Sequence, residues 1–347
     1  MRKVLHIDCD CFFAAIEMRE NPQLCHVPIA IGGRSDRRGV ISTCNYPARE
    51  YGIRSAMATA VAFKHCPELI LLPGNMPLYR EVSGQVMAII RRYGIAFEQV
   101  SVDEAYLELE PQDSAIEIGQ RIRAAVEAEV GITVSVGAAP NKFLAKVASD
   151  WHKPNGLFAV KPHQVEVFVS QLAVRKIPGI GPKTAERLAA QGIEFCQDAH
   201  KYSLLELVNL FGRTGATLYK RSRGQDERRL TTQRIRKSIS IEHTFAQDLY
   251  LAQELDIEAE HLWLKFLQRI EKAHLDSRSL APFVKVKFND FSQTTLADQF
   301  LDTSLQSFRQ LLQQARLRHD SNEIQGIRLI GLGGRCPSVD EQQLVLF

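Results

Sequence analysis

The sequence predicts an α+β protein of several domains whose first domain is a ferredoxin-like split βαβ unit, and three observations lead there. The first is the order of hydrophobic periods in residues 1–150, which reads strand, helix, strand, strand, helix, strand once one insertion is set aside. The second is that insertion, residues 11–73, which carries its own short strands and helices. The third is a shift in charge. From Arg175 to Lys237 there are 14 Lys and Arg against 6 Asp and Glu, a net +8, although the whole 347-residue chain carries only +3.

Each element has its own reason. Val4, Leu5 and Ile7 in "KVLHID" look like a buried strand, where Asp8 and Asp10 are costly unless a positive group meets them. The insertion holds a helix over "FFAAIEMRE", strands "PIAIGG" and "GVISTCN", and short helices around "YPAREYG" and "TAVAFK". Met76, Tyr79, Val82, Val86 and Ile90 then recur at helical spacing. "FEQVSV" and "AYLEL" form adjacent strands around Asp103 and Glu104, followed by the helix "SAIEIGQRIRAAVEAEV" and the strand "ITVSVGAA". In a split βαβ sheet the first and third strands are central neighbours, which brings Asp8 beside Asp103 and Glu104. Beyond the helix "NKFLAKVASDW" lies the basic segment. "RKSISIEHTF" reads as a linker, and a last domain places Leu-, Glu- and Gln-rich helices between the strands "FVKVKF" and "IQGIRLIGLGG".

Composition excludes several classes. The seven cysteines are odd in number and lack any CxxC pair, which argues against a disulfide framework or a zinc site and for a reducing cytoplasmic location. "MRKVLHIDCD" meets acid too early for a signal peptide, and no apolar run approaches a membrane span, so no membrane partner is expected.

The acids carry the chemistry. Asp8 is the firm ligand candidate of the first strand. Asp10 has two open readings, a second ligand on the same face or the N-cap of the helix that follows. Asp103 and Glu104, adjacent in sequence, serve one site only if the hairpin bends there. Three converging carboxylates repel one another strongly unless a hard divalent cation holds them, and oxygen ligands without a His or Cys cluster favour Mg²⁺, two ions of which suit in-line phosphoryl transfer.

"HIDCDCFFAAIE", "STCNYPAREYGIRSAM", "SVDEAYLEL", "GAAPNKFLAKVASDWHKPNG" and "IPGIGPKTAERL" together resemble the Y-family of translesion DNA polymerases, in its bacterial DNA polymerase IV type, over nearly the whole chain. The resemblance implies a palm (1–10 and 74–165), small fingers (11–73), a helix-hairpin-helix thumb (166–230), a linker (231–240), an α/β little finger (241–335) and a clamp-binding tail (336–347). It implies that Asp8, Asp103, Glu104 and the backbone carbonyl of Cys9 serve two Mg²⁺ ions. Primer-template DNA and a dNTP are then the substrates of a low-fidelity enzyme without a proofreading domain, expected to be a monomer. Phe12 and Phe13 follow the metal strand; both suit a core, and the resemblance puts Phe12 among the nucleotide-binding residues and Phe13 under the nucleotide sugar, where its ring excludes a 2′-hydroxyl. Thr43, Tyr46, Arg49 and Lys153 match positions that bind the triphosphate, a role for which an arginine fork and a flexible ammonium are suited.

The DNA track rests partly on the residues themselves. "IPGIGPKTAERL" reads as helix, hairpin and second helix near Pro182, so Gly179, Gly181 and Lys183 present backbone amides and a charge to a DNA phosphate. Arg236, Lys237, Lys285 and Lys287 extend that track. The ending Gln343, Leu344, Val345, Leu346 and Phe347 is either a last strand or, by resemblance, the peptide that docks a sliding clamp. Two rivals stay open: a nucleotidyl cyclase on the same sheet, and a DNA- or clamp-binding scaffold without catalysis.

Overall fold

The computed structural model describes residues 2–233, 235–318 and 325–337, which fall into two units. The first unit begins with β1 (Val4–Cys9) and α1 (Phe12–Glu20). Strands β2 (Ile29–Gly32) and β3 (Ile41–Cys44), the short helices α2 (Tyr46–Glu50) and α3 (Thr59–His65), and β4 (Ile70–Leu72) make up the insertion, with its small sheet in the order β3-β2-β4. Asn45 closes α2 at its start by accepting from the Ala48 amide at 3.1 Å. The segments Gly33–Val40 and Ala58–Val61 group with the second unit.

Next come α4 (Met76–Arg91), β5 (Ala96–Gln99), β6 (Glu104–Glu108), α5 (Ala115–Val130), β7 (Val134–Ala139), α6 (Lys142–Ser149) and β8 (Leu157–Ala159). The larger sheet runs β5-β6-β1-β7-β8, with β1 antiparallel to β6 on one side and β7 on the other. This is the expected split βαβ order. Leu5, Ile7 and Cys9 point to one face, where Val82, Val86, Ile90, Ile122 and Val126 of the two long helices cover them. The alternate residues Val4, His6 and Asp8 point to the other, which α6 partly covers. α6 lies close to the sheet because Gly137 has no side chain: a Cβ there would collide with the Ala145 carbonyl and the Ser149 amide.

The unit continues with α7 (Val165–Ser170), α8 (Pro182–Ala189), α9 (Leu204–Phe211) and α10 (Arg213–Arg221), whose Leu188, Leu207 and Leu218 share one apolar cluster with Phe143 and Leu144. Before the glycine hairpin the chain makes a single 3₁₀ turn, Val174–Lys176, rather than a full first helix, since Pro178 and Gly179 follow too soon for propagation.

The second unit is a four-stranded antiparallel sheet of β9 (Ser238–Leu249), β10 (Ala281–Phe288), β11 (Gln293–Ala297) and β12 (Ile327–Arg335), in the order β11-β10-β12-β9. Helices α11 (Ala252–Lys272) and α12 (Leu305–Arg316) pack on it, with Phe266 and Phe308 edge to face at 5.5 Å. "RKSISIEHTF" is corrected here. From Ser238 it is strand rather than linker, because Ile239 and Phe245 bury their side chains in this core and the segment pairs along the length of β12.

Candidate active site

Asp8, at the end of β1, is the acid the other two share: it lines one cavity with Asp103 and forms a separate close group with Glu104. In the β1–β6 register Asp8 lies opposite Glu104, and the Cys9 amide donates to the Asp103 carbonyl at 2.9 Å. The bend required at Asp103 and Glu104 is made by Ser101. Its hydroxyl donates to the Asp103 carboxylate and accepts from the amides of Asp103 (3.2 Å) and Glu104 (3.1 Å). Both acids are thereby presented at the same end of the sheet.

Positive groups do meet these acids, and they are lysines. Lys153 Nζ donates to Asp8 Oδ1 at 2.6 Å and lies 3.2 Å from Asp150; Lys146 Nζ donates to Glu104 Oε2. Burial opposes the Lys153 ammonium, but Asp8 and Asp150 outweigh it and its pKa is raised. Burial raises the Asp8 carboxyl despite Lys153, and the nearby Asp103 adds to that. Glu104 is held down to about 2 by the His6 ring and the Lys146 ammonium beside it. The carboxylate oxygens of Asp8 and Glu104 and a ring nitrogen of His6 all lie within 4.8 Å of one another. An oxygen-rich set of this kind fits a hard divalent cation.

Asp10 does neither of the things its position suggests. The residue at the helix boundary is Cys11, in left-handed conformation at φ 41° and without a side-chain cap bond. Asp10 is 1% exposed and points across the sheet instead. Its Oδ1 accepts from Ser135 Oγ at 2.8 Å and from Tyr46 at 3.5 Å; its Oδ2 accepts from Thr133 Oγ1 and the Asn155 amide, each at 2.8 Å. It ties β1 to β7, to α2 and to the loop that carries Lys153.

Asp8, Cys9, Phe12, Phe13, Thr43, Arg49, Asp103 and Lys153 line one cavity of about 190 Å³, together with Cys11, Ser42 and Ser55. Of the residues expected to contact nucleotide, Tyr46 stands just behind it, its ring 4.6 Å beneath the Arg49 guanidinium. Phe12 is buried in the core. Phe13 is half-buried and stacks on Tyr79 at 4.3 Å and 14°, while the Tyr79 hydroxyl donates to Glu17 at 2.5 Å. Burial drives the Cys9 thiol up and the Cys11 thiol to about 12, so neither ionises near neutral pH.

The DNA-side residues are not among those lining this cavity. Gly179 has φ +97°, a conformation that glycine adopts freely, and Gly181 starts α8 with open space where a Cβ would be. Lys183 is exposed on the first turn of α8. In the second unit Arg236 and Lys237 are exposed just before β9, and Lys285 and Lys287 share the face of β10 opposite its buried Val284 and Val286. Lys285 pairs with Glu242 at 3.0 Å, and Lys287 sits 4.8 Å over the Phe291 ring. Gln343, Leu344, Leu346 and Phe347 lie outside the described residues.

Ser101, Lys146, His6 and Tyr79 were not singled out by sequence. His6 alone offered a signal, since it stands two residues before Asp8 on the same strand face.

Three family descriptions match consecutive parts of the chain: the impB/mucB/samB family at residues 7–150, a DNA polymerase-iota thumb domain at 175–226, and the impB/mucB/samB C-terminal domain at 236–342. The chain is 47% identical to DNA polymerase IV of Pseudoalteromonas atlantica, covering 99% of this chain and 98% of that one. It is 46% identical to DNA polymerase IV of Shewanella oneidensis, over 96% and 93% of the two chains. Among solved structures, a Y-family DNA polymerase chimera of Dbh and Dpo4 superposes with a TM-score of 0.86 at 26% identity, covering 96% of this chain and 98% of that one.

Proposed function

Since this chain belongs to the DNA polymerase IV group of the Y-family and is a DNA-directed DNA polymerase, we propose that it performs low-fidelity translesion synthesis, without proofreading, at the cavity that Asp8 and Asp103 share with Phe13, Arg49 and Lys153. That shared cavity carries the reading, because it puts acids suited to divalent cations beside cations suited to a triphosphate.

Asp8, Asp103, Glu104 and the Cys9 carbonyl hold two Mg²⁺ ions, which when bound supply the positive charge that steadies the attacking and departing oxygens. The protein's own groups do the rest. Arg49, braced over the Tyr46 ring, and Thr43 grip the triphosphate. Lys153, on the loop anchored by Asp10, reaches the same phosphates once it leaves Asp8. Phe13, backed by Tyr79, fills the space beneath the sugar and excludes a 2′-hydroxyl. The primer 3′-hydroxyl then bonds to the α-phosphorus, the bond to the β-phosphate breaks, and pyrophosphate leaves.

Residues 166–230 act as the thumb and hold duplex phosphates through the amides around Gly179 and Gly181, with Lys183 adding charge. Arg236, Lys237, Lys285 and Lys287 continue the track on the little finger. Gln343, Leu344, Leu346 and Phe347 tether a monomeric enzyme to a sliding clamp, raising its effective concentration at primer ends. Among the described residues no helix is long and apolar enough to cross a membrane, and the enzyme works in the cytoplasm.

Primer extension on undamaged and damaged templates, each dNTP supplied singly, tests the reading. Extension past a lesion with frequent misinsertion supports it. Asp103→Ala should abolish extension while DNA binding persists; a scaffold would bind DNA but show no extension in the wild type, and a cyclase would extend no primer at all.

A further inference from the structure

His6 lies against this site without an assigned role. Its ring has no exposed surface, lies 4.7 Å from the Tyr106 centroid at a 58° tilt and is fixed in the centre of the sheet between Tyr106 and Gly137. Nδ1 lies 2.8 Å from Ser149 Oγ. The Ser149 hydroxyl lies equally close, at 2.8 Å, to the Lys146 carbonyl; when it donates there, Ser149 Oγ accepts from the ring and Nδ1 carries the hydrogen, and when it donates to Nδ1 the ring hydrogen sits on Nε2. In the first form Nε2 is a lone pair open to a metal ion. Nε2 faces Glu104 Oε2 at 3.3 Å, a nitrogen–oxygen pair that either a ring proton or a metal ion can bridge.

We infer that His6 Nε2 is a nitrogen ligand that, with Asp8 and Glu104, makes the catalytic centre a site for borderline transition ions such as Co²⁺, Mn²⁺ or Zn²⁺. The spacing fits. Ligands about 2.1 Å from a tetrahedral ion stand about 3.4 Å apart, and those around a six-coordinate ion somewhat closer. Nε2 and Glu104 Oε2 at 3.3 Å satisfy that edge, and all three ligand atoms lie within 4.8 Å. An imidazole whose other nitrogen is fixed by a hydrogen bond is the usual form of a metal-binding histidine, and Ser149 supplies that bond. Nitrogen donors raise affinity for the later first-row ions and do little for Mg²⁺. The Lys146 ammonium, now on Glu104, is the group such an ion displaces.

This inference rests on the reading of Asp8 and Glu104 as metal ligands, and the experiment separates the two. Co²⁺ and Mg²⁺ are titrated separately into the full chain without nucleotide, following cobalt absorption in the visible range and heat for Mg²⁺. His6→Gln is expected to weaken Co²⁺ binding by about tenfold or more and to shift its band, while changing Mg²⁺ affinity less than about twofold. Ser149→Ala, which releases the tautomer, should weaken Co²⁺ to a lesser degree. In ¹⁵N-histidine-labelled wild-type protein, substoichiometric Mn²⁺ should broaden the His6 Nε2 resonance before those of the other nine histidines; this holds whether or not the variants fold. Equal Co²⁺ affinity and spectrum in His6→Gln, or a sharp His6 signal with Mn²⁺ bound, overturns the inference alone. Failure of Asp8→Asn to weaken either ion overturns the ligand reading beneath it.

Discussion

Asp10 gives the sharpest test of how this site is held together, because the sequence allows it to be a metal ligand or a helix cap and the structure makes it neither. Asp10→Ala removes an acceptor from the Thr133 and Ser135 hydroxyls and the Asn155 amide, all at 2.8 Å in a place that is 1% exposed. The hydroxyls can turn to other partners; the amide cannot. The unpaired amide costs about 1–3 kcal/mol, and the two hydroxyl bonds to a charged acceptor that are exchanged for weaker ones add to it, so the variant should lose about 3–5 kcal/mol of stability. Asp10→Asn behaves differently. Its Nδ2 can face Ser135 Oγ and the Tyr46 hydroxyl, both able to accept, while its oxygen keeps Thr133 and Asn155; the loss is about 1–2 kcal/mol.

Urea denaturation in a Trp263→Phe background reports the first unit alone, since Trp151 is then the chain's one remaining tryptophan. Primer extension gives the second readout. Asp10→Asn should keep most of its kcat, with a modest rise in the dNTP KM through the Lys153 loop. Equal destabilisation by Ala and Asn would refute the hydrogen-bond geometry, and loss of extension in Asp10→Asn with stability intact would return Asp10 to the ligand set.

Phe13→Ala should raise ribonucleotide incorporation by on the order of tenfold or more, measured with paired rNTP and dNTP extension. Tyr79→Ala should relax the same selection by roughly two- to tenfold, because aromatic stacking is worth about 0.5–1.5 kcal/mol, whereas Tyr79→Phe keeps the stack and should not. Arg49→Ala should raise the dNTP dissociation constant roughly 10- to 150-fold, the worth of a charged hydrogen bond of about 1.5–3 kcal/mol, in pre-steady-state extension. Glu104, depressed from 4.5 to about 2, contributes stability that is complete above its unfolded value and lost as pH falls through the folded one. Lys146→Met should move the Glu104 titration upward and shrink that acid-range loss, as read from its ¹³C carboxyl shift between pH 2 and 5.

The catalytic acids were legible because sheet topology follows from the order of hydrophobic periods, and topology alone brings Asp8 opposite Glu104. What holds them was not. Thr133, Ser135 and Asn155 sit far from Asp10 in sequence, so its preference for a cap position was the stronger local signal until the sheet formed. Lys146 and Ser149 reach Glu104 and His6 only because Gly137 lets α6 sink onto the strands, a close approach that no spacing rule reveals. Tyr79 looked like any core position of an amphipathic helix, and its contact with Phe13 depends on how α1 meets α4. β9 was missed for a simpler reason: its polar start drew more weight than the alternation of Ile239, Ile241 and Phe245.

The account stands or falls on where divalent ions bind when the enzyme is engaged. A crystal of the full chain with primer-template DNA, a non-hydrolysable dNTP and Mn²⁺ would locate them by anomalous scattering. Peaks about 2.1–2.3 Å from oxygens of Asp8, Asp103 and Glu104, with Lys153 moved from Asp8 to the triphosphate, are the predicted result. Ions held elsewhere, or any of the three acids turned from the nucleotide, would contradict it.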